Sequence, residues 1–149
     1  MGFPETNPQI VSTSICFPVT TGSGVVTTEV IIAKTKKLGT VTEVWAMTDK
    51  AAAATANMTI VFYNRGTASG AGTAFAGTAE IATLGGAATA WVASEPRAGT
   101  VANNTDIAVD SYITAKATRS AASTATAFDI SVGLIFVPGK PAAVGSIGA

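Results

Sequence analysis

The sequence predicts an all-β fold, an antiparallel sandwich or barrel of about seven or eight strands with few helices. Apolar residues alternate with polar or small ones over several segments of strand length. Stretches rich in Gly, Asn, Ser and Thr separate these segments. Val, Ile, Thr and aromatic residues dominate them, whereas the one strong helix-forming run, residues 51–54, is too short for a stable helix.

The last predicted strand has the clearest pattern. Five large apolar residues fall on one face of it, and these are Phe128, Ile130, Val132, Leu134 and Phe136. Small or polar residues fall on the opposite face, as expected for a strand with one buried face. Residues 107–116 alternate in a similar way. The two segments together predict a C-terminal hairpin with a long turn over residues 119–124.

Five further strands are predicted upstream, over residues 14–20, 25–34, 39–48, 58–64 and 88–94. Pro18 favours an edge position for the first of them, because proline cannot donate a hydrogen bond to a neighbouring strand. Residues 66–86 are rich in Gly, Ala and Thr. This composition fits either a long surface loop or a strand near residues 78–82.

The 149 residues are enough for one domain. We expect a sandwich domain over residues 12–137, an N-terminal arm over 1–11 and a C-terminal arm over 138–149. Each arm contains two prolines, and neither is able to build a core alone. They are either frayed tails or segments that become ordered against a neighbouring molecule.

The composition argues against catalysis. The chain has no histidine, one cysteine, and nine acidic and nine basic residues that form no cluster suited to acid–base chemistry. Cys16 is predicted to be a small buried residue. Asp106 and Asp110 would lie roughly 13 Å apart on one strand, too far to act as a catalytic pair. We therefore expect no enzyme activity, no cofactor and no catalytic or metal-binding residues.

Charge and hydropathy narrow the possible partners. Charged residues make up 12% of the chain and the formal net charge is zero, which favours association into oligomers unless Thr and Ser supply the polar surface. The one basic cluster, Lys34 to Lys37, is expected to be a solvated loop, so no nucleic acid partner is predicted. No segment is apolar enough for a membrane helix, and the first residues lack the features of a secretory signal.

Some predicted strands carry apolar residues on both faces. Trp45 is expected to share a face with Val41 and Met47, and Tyr63 lies on a strand of the same two-sided kind. The tryptophans can either fill the core or anchor an interface. The two-sided pattern makes Trp45, Met47 and Tyr63 the candidates for an oligomer interface.

A resemblance to a known family rests on four segments in order, residues 39–45, 56–64, 106–110 and 128–137. Their strand pattern and composition resemble those of small jelly-roll virion proteins of tailed bacteriophages, in particular capsid decoration, or cement, proteins. The likeness covers residues 12–137. It implies a jelly-roll-like β-sandwich, often trimeric, that braces neighbouring major capsid subunits, in part through extended terminal arms.

The implied partners are the major capsid protein and further copies of this chain, with a trimer favoured. The implied location is the outer capsid surface of the virion, after synthesis in the host cytoplasm. The candidate capsid contacts in the arms are Phe3, Ile10, Val144 and Ile147.

The same architecture also serves receptor- or glycan-binding modules of phage fibres and baseplates. Such sites combine an aromatic side chain with polar hydrogen-bonding groups. Trp91, Glu95 and Arg97 are the candidate ligand-site residues for this alternative.

Overall fold

A computed structural model describes residues 7–17, 25–52, 58–67, 79–86, 89–101, 103–119 and 128–139. Within these residues the fold is all-β, as predicted, and it contains no helix. The strands in chain order are β1 (Gln9–Phe17), β2 (Val26–Lys34), β3 (Gly39–Thr48), β4 (Thr59–Asn64), β5 (Ala79–Gly85), β6 (Arg97–Gly99), β7 (Asp106–Ile107), β8 (Tyr112–Arg119) and β9 (Phe128–Pro138).

The strands form two antiparallel sheets that pack face to face, which confirms the predicted β-sandwich. The five-stranded sheet has the order β1-β9-β3-β6, and the short β7 pairs with β3 as well. The four-stranded sheet has the order β2-β8-β4-β5. Strands that are distant in sequence are therefore neighbours in both sheets.

The core lies between the two inner faces. On β9 the predicted alternation is confirmed, since Ile130, Val132 and Leu134 are fully buried and Phe136 is almost so. The side chain of Phe128 lies outside the described residues. The four-stranded sheet contributes Ile60, Phe62, Ile81, Leu84, Ile113, Ala115 and Ala117 from the opposite side.

The predicted C-terminal hairpin is wrong, because its two strands belong to different sheets. β8 pairs with β2 and β4, whereas β9 pairs with β1 and β3. Residues 107–116 are also not one strand. The chain turns at Asp110, which has a φ of 60°, and Thr35 holds this turn: its carbonyl accepts a bond from the Asp110 N–H and its hydroxyl donates to the Ala108 carbonyl.

The predicted strand over residues 88–94 is wrong as well. Its described part makes only two isolated bridges, Ala52 with Trp91 and Thr48 with Ala93, and the chain turns at Ser94, which has a φ of 60°. The short β6 that follows was not predicted from the sequence. In the ambiguous stretch of residues 66–86, β5 supports a strand rather than a continuous loop.

The N-terminal arm is shorter than predicted, because β1 begins at Gln9 and takes up the last three residues of the segment 1–11. β1 does occupy a sheet edge, but it ends at Phe17, and Pro18 lies outside the described residues. At the other end, Pro138 is the last residue of β9.

A β-bulge in β3 changes which of its side chains share a face. The register with β9 shifts between Val41 and Glu43, so that two residues of β3 oppose one of β9 there. Val41 is therefore 1% exposed and lies in the core with Val44 and Ala46. The prediction that Val41 shares a face with Trp45 is wrong.

Substitution of Leu134 tests the position of β9 in the core. Leu134→Ala removes a fully buried side chain and should lower the free energy of unfolding by about 2–5 kcal/mol. Ile10→Ala, at a side chain that is 74% exposed, should change it by less than about 0.5 kcal/mol. Urea unfolding measures both. Equal effects of the two variants would contradict the described register.

Candidate contact surface

The outward side of the five-stranded sheet brings side chains of β1, β9, β3 and β6 into cross-strand rows. We call it the outer face, and it is defined by the rows Ile10–Ile135–Glu43, Ser12–Gly133–Trp45–Ala98, Ser14–Ser131–Met47 and Cys16–Asp129. Directly paired residues of antiparallel strands point to the same side, which places these side chains together.

Trp45 lies at the centre of the outer face and packs on the backbone of β9. A Cβ atom added to Gly133, its cross-strand partner, would lie 2.3 Å from Cζ2 and 2.4 Å from Cε2 of the indole. Contacts this short do not occur, so only glycine at this position admits the indole. The ring is half-buried by this contact and keeps an accessible side.

The outer face is poor in charge. Glu43 lies in one terminal row and Asp129 in the other, and the two rows between them contain no charged side chain. Ile10 stands 74% exposed at the edge strand. A half-buried tryptophan and a methionine surrounded by Ser, Gly and Ala side chains form a surface suited to burial against another protein.

The structure brings some of the predicted contact residues together and separates others. Ile10, Trp45 and Met47 share the outer face, although Ile10 is predicted from the sequence to lie in the N-terminal arm. Tyr63 lies on β4 in the other sheet, on the opposite side of the sandwich. Phe3, Val144 and Ile147 lie outside the described residues.

Cys16 is exposed, contrary to its predicted burial. It points outward because it pairs with Asp129, whereas its neighbour Ile15 pairs with Ile130 and is fully buried. The prediction depended on the apolar neighbours Ile15 and Phe17, but neighbours along a strand point to opposite sides of the sheet.

The side chains around Tyr63 are held by a polar network within the four-stranded sheet. The Arg65 guanidinium lies 4.2 Å from the centre of the Tyr63 ring. It also donates from Nε and Nη2 to the two carboxylate oxygens of Glu29, at 2.8 and 2.9 Å. The Thr114 hydroxyl donates to the same carboxylate at 2.5 Å. This bidentate pair links β2, β8 and the end of β4, so its contacts support a structural role.

Trp91, Glu95 and Arg97 do lie together, around a pocket of about 270 Å³. Trp91 is nevertheless a core residue, only 2% exposed, and its indole N–H donates to the Met58 carbonyl at 3.2 Å. The Arg97 guanidinium lies 4.9 Å from the centre of the Trp91 ring and donates to the Ala90 carbonyl at 2.9 Å. The indole therefore offers no open face on which a sugar could stack.

Other kinds of site find little support in the part of the chain that is described. Its His, Cys, Asp and Glu residues include no group of three or more that could hold a metal ion. Nor does any helix in these residues have the length and hydropathy needed to cross a membrane.

No protein-family model matches the chain, and no curated protein or solved structure shows significant similarity to it. The fold and the outer face are therefore the observations on which a function can be based.

Trp91→Ala tests whether the Trp91 indole is part of the core. Loss of a buried aromatic side chain should lower the free energy of unfolding by about 3–5 kcal/mol, as measured by urea unfolding. Val92→Ala, at a neighbour that is 56% exposed, is the matched control and should change stability little. A Trp91→Ala protein of unchanged stability would show that the indole is not part of the core.

Proposed function

We propose that this chain is a structural virion protein, a capsid decoration or cement protein that binds the outer shell of a tailed bacteriophage. The observation that carries the proposal is the outer face, with Trp45 at its centre and no charge in its two middle rows. Interface cores are enriched in aromatic residues and Met and depleted of charge, as this face is. The sequence resemblance to capsid decoration proteins supports the major capsid protein as the proposed partner.

Binding of this kind would need no catalysis. A protein that binds the assembled shell and not its separate subunits stabilises the assembly by mass action, by about 2.7 kcal/mol per site at a concentration one hundred times the dissociation constant. If the chain forms the proposed trimer, binding of one copy to the shell strengthens the binding of the other two copies. Contacts across two capsid subunits would then hold those subunits together.

Trp45→Ala tests the outer face. Truncation of a central interface aromatic typically costs about 2 kcal/mol or more, so the dissociation constant for undecorated capsid shells should rise by more than about tenfold. Co-sedimentation with purified shells measures saturable binding and its ratio to the shell subunit. Gly133→Ala should act in the same direction, because the added methyl group displaces the indole.

Ile31→Ala, at a side chain of β2 that is 49% exposed on the opposite sheet, is the matched control and should bind shells as the unmodified protein does. Unfolding measurements on all variants separate lost binding from lost structure. If the unmodified protein does not co-sediment with shells, the proposed function is wrong. If it binds but Trp45→Ala binds equally well, the outer face is not the contact surface.

The C-terminal arm is proposed to add to the contact through Val144 and Ile147. A chain that ends at Gly139 keeps every described strand, so it should fold normally but occupy fewer shell sites at equal concentration. Undiminished occupancy by this truncated chain would remove the C-terminal arm from the contact.

The alternative is a receptor- or glycan-binding module, and the pocket beside Glu95, Pro96 and Arg97 is the observation that favours it. Both charged side chains border the pocket, although Trp91 is buried. A glycan array would detect such an activity. Binding that is lost in Glu95→Ala, at an exposed side chain, would support this alternative over shell binding.

A further inference from the structure

The edge strand β1 lacks the features by which sheet edges normally avoid pairing with other chains. It is nine residues long, contains no charged residue and no proline, and keeps an unbroken register with β9. Exposed edges are usually short, bent by a bulge, or supplied with charge or proline, because their free N–H and C=O groups otherwise bind another strand. Among the described strands β1 pairs with β9 alone, so its second row of backbone groups has no strand partner there.

The other edges of the two described sheets do carry such features. The register of β2 with β8 shifts at a bulge, and β2 contains Glu29 and Lys34. The register of β5 with β4 also shifts, and the Asn104 amide donates to the Glu80 carbonyl of β5 at 2.8 Å. β6 and β7 are only three and two residues long. Of these edges, β1 is therefore the one best suited to accept a further strand.

The sequence of β1 matches its own reverse, which indicates what the further strand is. Residues 10–16 have threonine at the centre, a serine on each side of it, and apolar residues beyond the serines. When two copies of this segment run antiparallel about Thr13, the opposing residues are Ser12 with Ser14, Val11 with Ile15, and Ile10 with Cys16. Hydroxyl residues thus meet hydroxyl residues and apolar residues meet apolar ones, since cysteine behaves as a small apolar residue. No like charges oppose one another.

The two faces of the five-stranded sheet are compatible with this register. In β1 the even-numbered residues from 10 to 16 lie on the outer face and are exposed, whereas the odd-numbered residues between them point towards the core. A twofold axis through Thr13 places even positions opposite even ones, so each outer face continues into that of the second copy. A register shifted by one residue would bring outward side chains opposite inward ones, which antiparallel pairing does not allow.

We propose that two copies of this chain associate by antiparallel pairing of β1 with β1, about a twofold axis at Thr13. The two five-stranded sheets then form one continuous sheet, with both Trp45 side chains on the same side of it. The proposal goes beyond the proposed function, because it holds whether or not the protein binds a shell. A twofold contact closes on itself, so it gives a dimer and not the trimer that the sequence resemblance implies.

Charges introduced at the two exposed serines of β1 test the pairing. Ser12→Lys combined with Ser14→Lys places lysine opposite lysine, so the dissociation constant of the dimer should rise by at least about tenfold. Ser12→Lys combined with Ser14→Glu is the matched control, because it places lysine opposite glutamate and should retain the dimer. Sedimentation equilibrium up to about 1 mM protein measures the mass of each, and urea unfolding shows that each is folded. A monomer mass of the unmodified protein throughout, or an oligomer that persists unchanged with both lysines, would overturn the proposal.

A disulfide between the two copies tests the register. Position 10 lies directly opposite the partner's Cys16, at a separation that a disulfide can span, whereas the two native cysteines lie roughly 20 Å apart. Ile10→Cys incubated with oxidised glutathione should therefore form a covalent dimer on a non-reducing gel. The unmodified protein should not, and neither should Ile31→Cys, at an exposed position of β2. Equal cross-linking of Ile10→Cys and Ile31→Cys would contradict the pairing of β1 with β1.

Discussion

The antiparallel ladder of β9 with its two neighbours is the constraint on which the rest of the structure depends. β9 pairs with β1 along all nine residues of that strand and with β3 on its other side, and its inward side chains form one wall of the core. Its outward side supplies Gly133, on which Trp45 rests. The alternation of inward and outward side chains along β9 therefore determines both the packing of the sandwich and the shape of the outer face.

Strands that are marked by a residue pattern within the strand itself could be predicted from the sequence. The bounds of β3 agree with the prediction and those of β2 differ by one residue, because alternation and flanking turn residues are visible in the chain itself. The partner of each strand was not visible in this way. β8 and β9 follow one another in sequence but enter different sheets, and a turn held by Thr35 interrupts the apparent strand before β8.

The contact surface could be predicted only in part, for the same reason. Trp45 and Met47 stand out as residue types, but their association with Ile10 depends on the pairing of β1, β9 and β3, which local pattern does not encode. The β-bulge in β3, which moves Val41 into the core, is likewise not visible in the local sequence pattern. Trp91 is the opposite case. Its residue type suggests a ligand site, but the side chain is buried in the core and its indole N–H is hydrogen-bonded to the Met58 carbonyl.

The pairing of the first strand with the last also constrains when the molecule can fold. Gln9 lies opposite Phe136, so the five-stranded sheet cannot close until nearly the whole described chain has left the ribosome. Folds dominated by such distant contacts form slowly, over milliseconds to seconds, because a long loop must close before any pairing energy is gained. During synthesis β1 remains without its partner strand, and the side chains of Ile10, Val11 and Ile15 stay open to association with other chains.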